Sequence, residues 1–170
     1  MKRLYAPWRS LYAKSLHEGK GERSLKEQCD FCTQISANQD EKYFILKRFK
    51  HSFVCLNLYP YNAGHIMILP LKHQATLHEL TKEARLEIME AVSASTTIIQ
   101  KVLESEGINV GINLGKAAGA GSPSHLHVHV LPRWSGDTNF LPALADTKLI
   151  SFDLHEIYKK LKPEFDKLTL

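Results

Sequence analysis

The sequence predicts an α+β fold, a mainly antiparallel sheet of about five strands with one long helix and one C-terminal helix packed on it, and three observations predict it. Five short runs of β-branched and aromatic residues are separated by Pro, Gly and Asn clusters. Residues 81–106 repeat apolar positions at helical spacing. A Lys/Glu-rich stretch over residues 153–168 reads as a last helix.

Taken in order, residues 1–28 are rich in Lys, Arg, Ser and Glu, with Leu4, Tyr5, Trp8 and Tyr12 as anchors, and are expected to form an N-terminal arm with little regular structure. Residues 43–47 and 52–58 read as an antiparallel pair separated by the polar Lys50 and His51. The turn over 59–64 contains the Pro, Asn and Gly that turns require, and residues 65–70 form a strand that stops at Pro70. In the long helix Ala84, Ile88, Ala91, Val92, Ile98, Ile99 and Val102 share one face. Thr81 stands at its start without the Glu or Gln partner of a capping box, and Gly107 is expected to end it. Residues 109–114 and 126–131 read as strands joined by the small-residue loop 115–124, and Pro163 is expected to interrupt the last helix. The expected organisation is one domain over 1–170, with the arm at 1–28 and a C-terminal extension at 141–170.

With 170 residues, 44% hydrophobic and 24% charged, the chain is long enough to bury a core of its own. No apolar run approaches the roughly 20 residues a membrane span needs, and no leader-like stretch follows the basic start, so a cytoplasmic protein without a membrane partner is expected. A net charge of +4 favours an anionic substrate, but no basic patch interleaved with aromatics argues for nucleic acid. Of three cysteines, Cys29 and Cys32 have the spacing of half a tetrahedral zinc site, whereas Cys55 falls in an apolar strand.

The most informative segment runs His125-Leu126-His127-Val128-His129-Val130. Strand alternation places the three imidazoles on one side, about 6.6 Å apart in succession, and the aliphatic residues in the core. Imidazole is neutral and nucleophilic, or cationic and charge-stabilising, near neutral pH, which suits phosphoryl chemistry. The plain alternative is a polar face on an edge strand.

These residues resemble the signature of the histidine-triad (HIT) family. The likeness extends to Tyr5-Ala6-Pro7-Trp8-Arg9, the Cys29 and Cys32 pair, the turn from Asn57 to His65, the loop from Asn113 to Gly121, and Pro132 to Phe140. It is most similar to the bacterial branch that includes diadenosine tetraphosphate phosphorylases. The resemblance implies a HIT-like fold and cleavage of a nucleotide phosphoanhydride through a nucleotidyl-histidine, with His127 as nucleophile, His129 stabilising developing charge and His65 as a fourth histidine near the triad. It assigns substrate contacts to Asn57, Asn113, Gly119, Gly121 and Ser122, although Asn57 reads equally well as the cap of a turn. It also completes a structural Zn2+ site from Cys29, Cys32, His73 and His125. Implied partners are a dinucleoside polyphosphate, inorganic phosphate as an acceptor in competition with water, and a second copy of the chain in a homodimer. The alternative functions are nucleoside phosphoramidate hydrolysis and nucleotide binding without catalysis. The remaining histidines, His17, His51, His78 and His155, read as ordinary surface or helix residues.

Overall fold

The computed structural model describes residues 29–145 and 152–170, so the expected arm at 1–28 and part of the C-terminal extension lie outside the described residues. Five strands, β1 (Ile45–Arg48), β2 (Ser52–Leu56), β3 (Ile66–Pro70), β4 (Gly107–Ile112) and β5 (Val128–Arg133), form one sheet in the order β1-β2-β3-β5-β4. Every pairing is antiparallel. The helices are α1 (Asp30–Ala37), the long α2 (Lys82–Leu103), a short α3 (Leu141–Ala145) and α4 (Leu154–Lys167). The expected α+β architecture is thus the observed one. No helix among the described residues is long and apolar enough to cross a membrane.

Alternation along the strands separates two apolar clusters. On one face Leu46, Val54, Leu56, Ile66, Ile68, Val128 and Val130 meet Ala84, Ile88, Ala91 and Ile99 of α2 and Ile157, Leu161 and Phe165 of α4. On the other face Ile45, Phe53, Cys55, Met67 and Leu69 form a smaller cluster covered by Phe31 and Ile35 of α1. In β5, His129 pairs with Met67 on one side and Gly111 on the other, so its side chain belongs to this second face.

Several boundaries differ from the expected ones for physical reasons. The long helix ends before Gly107: Glu104 takes the left-handed conformation with φ 52°, and Gly107 opens β4. Trp134 Nε1 donates to Glu104 O and Glu106 N donates to Arg133 O, which draws the chain into the β4–β5 ladder at that point. Strand β5 continues through Pro132 because β3 pairs only as far as Val130; at Pro132 the strand has β4 alone beside it. Pro163 does not break α4. Its cost, about 3 kcal/mol, is offset by burial of Leu161 and Phe165, each worth roughly 1.5–3 kcal/mol, and both are 0% exposed. Helix α1, eight residues long, turns Phe31, Cys32 and Ile35 toward the sheet and is not among the expected elements.

Candidate active site

His127 immediately precedes β5 and His129 lies within it, and their rings stand 4.8 Å apart at 86°. Both are buried. His127 Nδ1 lies 2.8 Å from the carbonyl oxygen of His125. A carbonyl only accepts, so Nδ1 carries the proton and donates, leaving Nε2 with the bare lone pair a nucleophile needs.

Behind His129 the turn between β2 and β3 fixes a second tautomer. Tyr61 N donates to His65 Nδ1 at 3.1 Å, and Asn57 Nδ2 lies 3.3 Å from the same atom. His65 Nδ1 is therefore the acceptor and Nε2 bears the proton, which is donated to His129 Nδ1 at 2.9 Å. The remaining proton of a neutral His129 sits on Nε2, a buried atom with no partner among the described residues. Burial lowers the pKa of His65 to about 3, with the neighbouring His129 and His127 adding to the effect. It lowers that of His129 to about 4, with a smaller contribution from His127. Both rings are thus neutral at physiological pH, and the buried Nε2–H of His129 is a fixed donor awaiting an acceptor.

His125 faces a different set of groups. Its Nε2 donates to Pro70 O at 2.9 Å, so Nδ1 presents its lone pair to Cys29 Sγ at 3.4 Å and Cys32 Sγ at 3.7 Å. His73 Nδ1 lies 3.3 Å from Cys32 Sγ. Ligand atoms from the four residues all lie within 4.8 Å of one another. Tetrahedral zinc with sulfur at about 2.3 Å and nitrogen at about 2.0–2.1 Å separates S and N ligands by roughly 3.5 Å. The donor set and its spacing therefore fit a metal ion, and the Pro70 carbonyl orients one ligand from behind.

The HIT domain matches residues 38–136. The chain belongs to the HIT domain family. Among curated proteins it is similar to the AP-4-A phosphorylase of Mycobacterium tuberculosis, 34% identical over 97% of this chain and 85% of that protein. It is also similar to the asymmetrical bis(5'-nucleosyl)-tetraphosphatase of Schizosaccharomyces pombe, 32% identical over 55% of this chain and 50% of that one. Among solved structures, the Zn-bound histidine triad family protein of Mycobacterium smegmatis shares the fold at a TM-score of 0.68, with 22% identity, 84% of this chain and 96% of that chain covered. Membership of the HIT family carries its chemistry, cleavage of a nucleotide phosphoanhydride.

The other residues singled out in the sequence lie in the β2–β3 turn, at the end of β4 and in the loop that follows it. Extending the β4–β5 register by one residue beyond Ile112 and Val128 sets Asn113 opposite His127. Asn57 is engaged in its own turn, where Oδ1 accepts from Tyr59 N at 2.9 Å. In the loop, Gly119 N donates to Lys116 O, whereas the amides of Gly121 and Ser122 meet no backbone carbonyl among the described residues. A Cβ at Gly119 or Gly121 would meet nothing within 4 Å, so no side chain packs on the loop at these positions. Two aromatic residues beside the histidines escape sequence reasoning. Phe31 stands 5.6 Å from the His125 ring and 5.7 Å from that of His127, and Tyr61 stacks 4.7 Å from His65. Phe31 lies inside the Cys29-x-x-Cys32 motif, so its proximity to His125 follows once the metal ligand set is known.

Proposed function

We propose that this HIT protein cleaves diadenosine tetraphosphate or a close dinucleoside polyphosphate by way of a nucleotidyl-His127 intermediate. The observation that carries the reading is the pairing of a bare imidazole nitrogen on His127 with the buried, unpartnered Nε2–H of His129. The Nε2 lone pair of His127 attacks the α-phosphorus. The bond from phosphorus to the bridging oxygen breaks, its electron pair leaves with that oxygen, and ATP departs. The His125 carbonyl, already accepting from His127 Nδ1, stabilises the charge that the ring acquires. His129, held by His65, donates to the phosphoryl oxygens, a role in which a donor fixed before reaction costs no reorganisation. Phosphate or water then attacks the same phosphorus, the P–N bond breaks, and any proton on the attacking oxygen passes to solvent. Asn113, Gly119, Gly121 and Ser122 are the proposed phosphate contacts, and Asn57 the proposed ribose contact.

The Cys29, Cys32, His73 and His125 cluster is proposed to hold a structural Zn2+. Four protein ligands leave no open coordination position, so the ion supplies a fixed frame rather than a reaction step. A cytoplasmic homodimer is proposed through α2 and the sheet edge, on the support of Leu86 and Met89, 61% and 56% exposed, and Val110, 48% exposed on edge strand β4.

Incubation with diadenosine tetraphosphate, with and without inorganic phosphate, tests the activity. ATP plus ADP formed only with phosphate identifies a phosphorylase, and ATP plus AMP a hydrolase. Absence of turnover under both conditions defeats the reading. The His127→Ala variant is expected to lose turnover while still binding nucleotide, and activity retained in that variant removes the assigned nucleophile.

A further inference from the structure

The carboxylate of Asp137, which none of the steps above uses, is 7% exposed at the side chain and held by several donors at once. Arg133 Nε and Nη2 grip its two oxygens at 2.6 and 2.9 Å, Trp134 N donates at 3.2 Å, and Thr138 Oγ1 lies at 3.2 Å. Such a fork of parallel N–H donors fixes orientation as well as charge. A further donor comes from elsewhere in the fold: Asn62 Nδ2 reaches Asp137 Oδ2 at 2.9 Å and Pro132 O at 3.0 Å. Asn62 belongs to the turn between β2 and β3, is itself buried, and accepts at its carbonyl from His65 N at 3.2 Å. Its neighbour Tyr61 supplies the N–H that makes His65 Nδ1 an acceptor. The turn is seated on the end of β5 a second time at Gly64, where a Cβ would stand 3.3 Å from Pro132 Cγ.

These contacts form one continuous chain, from Asp137 through Asn62 and the Tyr61 backbone to His65 and then His129. We propose that Asp137 and Asn62 are positioning residues that hold the β2–β3 turn so that Tyr61 locks His65, and through it His129, in the tautomer that points an N–H at the substrate phosphate. The clamp touches no substrate. It acts on the direction of a proton: without the Tyr61 donor only the longer contact from Asn57 Nδ2, at 3.3 Å, still holds His65 Nδ1 as an acceptor, and in the other tautomer pair that keeps the bond between the two rings His129 Nε2 is an acceptor. An acceptor facing a phosphoryl oxygen repels where a donor attracts.

The inference rests on the proposed role of His129, and the experiment separates the two. Long-range 15N–1H correlation spectra of the full chain are expected to show single Nε2–H tautomers at His65 and His129. In Asn62→Ala and Asp137→Ala the same signals are expected to average between tautomers. Turnover of diadenosine tetraphosphate is expected to fall roughly 10- to 100-fold, the range found when partners behind a functional imidazole are removed, with KM changed little. Asn62→Ala deletes one side-chain amide and leaves the Arg133 fork intact, so it carries the test should Asp137→Ala fail to fold. Folded variants with a lowered melting temperature but unchanged tautomers overturn the proposal, because that is the signature of a purely structural clamp. Unchanged tautomers with unchanged kcat overturn it as well. Should the wild type turn over no dinucleotide at all, the function is wrong, yet the tautomer shift still decides whether the clamp exists.

Discussion

At Gly64 the backbone adopts φ +70°, and a Cβ built there would stand 2.3 Å from Leu103 Cδ1. The residue is thus held to glycine twice, by a conformation that L-residues avoid and by the approach of the last turn of α2. Gly64→Ala is expected to cost about 2 kcal/mol or more, the left-handed penalty alone being roughly 1–2 kcal/mol. In a chain of this size that lowers Tm by roughly 4–8 °C. Gly107→Ala, where the nearest atom would be Arg133 Cβ at 3.9 Å and φ is not positive, is the matched control and should melt close to wild type. Equal melting temperatures for the two variants would contradict the packing described for the β2–β3 turn. Activity should fall further than stability in Gly64→Ala, since the turn carries the Tyr61 amide that directs His65. Measurement of kcat at a temperature where both variants are fully folded checks this.

Among the elements, α1 is the one whose position depends most on the proposed metal. It buries Cys32, has Cys29 as an N-cap without a side-chain capping bond, and covers the second face of the sheet with Phe31 and Ile35. A zinc ion held at 1,000 times its dissociation constant adds about 4 kcal/mol of stability, equivalent to roughly 8–16 °C in Tm at about 2–4 °C per kcal/mol. Purified protein is expected to contain one zinc per chain, and Cys29→Ser or a strong chelator to remove both the ion and that increment. Metal-free protein whose melting is indifferent to chelator would refute the site. The same elements show what the sequence made legible. The strands were readable because β-branched runs alternate between turn residues, and the triad because alternation separates His127 and His129 from Val128 and Val130. Helix α1 was not, since its apolar face of Phe31, Cys32 and Ile35 spans only two turns and its place is set by distant residues, His73 and His125. Nor was the end of α2 legible. Gly107 is the residue that local propensity favours as a stop, but Trp134 and Arg133 bond Glu104 and Glu106 from β5 and its following turn, and tertiary contact decides. The tautomers of His65 and His129 were also out of reach, because they depend on which backbone atoms face the rings.

For the molecule as a whole, the neutral imidazoles buried beside the sheet make stability depend on pH in a definite direction. His65 and His129 have pKa values of about 3 and about 4 in the folded chain, against 6.5 for an ordinary histidine, with burial as the largest cause in each. Between these limits the unfolded chain binds protons that the folded chain refuses, so acid favours unfolding. Their contribution is fully present above about pH 6.5, is lost as pH falls below that value, and stops changing only below the folded pKa values. Each imidazole weakens the fold by about 1.4 kcal/mol per pH unit in that window, or roughly 2 kcal/mol between pH 6.5 and pH 5. Denaturant unfolding at pH 7 and pH 5 measures the loss directly. Any pH dependence that arises elsewhere in the chain acts alike on wild type and His65→Gln. The difference between their two slopes therefore belongs to His65: wild type should lose about 2 kcal/mol more than the variant over the interval. Parallel slopes would mean that His65 takes up a proton as readily in the folded chain as in the unfolded one, and a ring that became cationic by pH 5 could not accept from the Tyr61 amide as the structure has it.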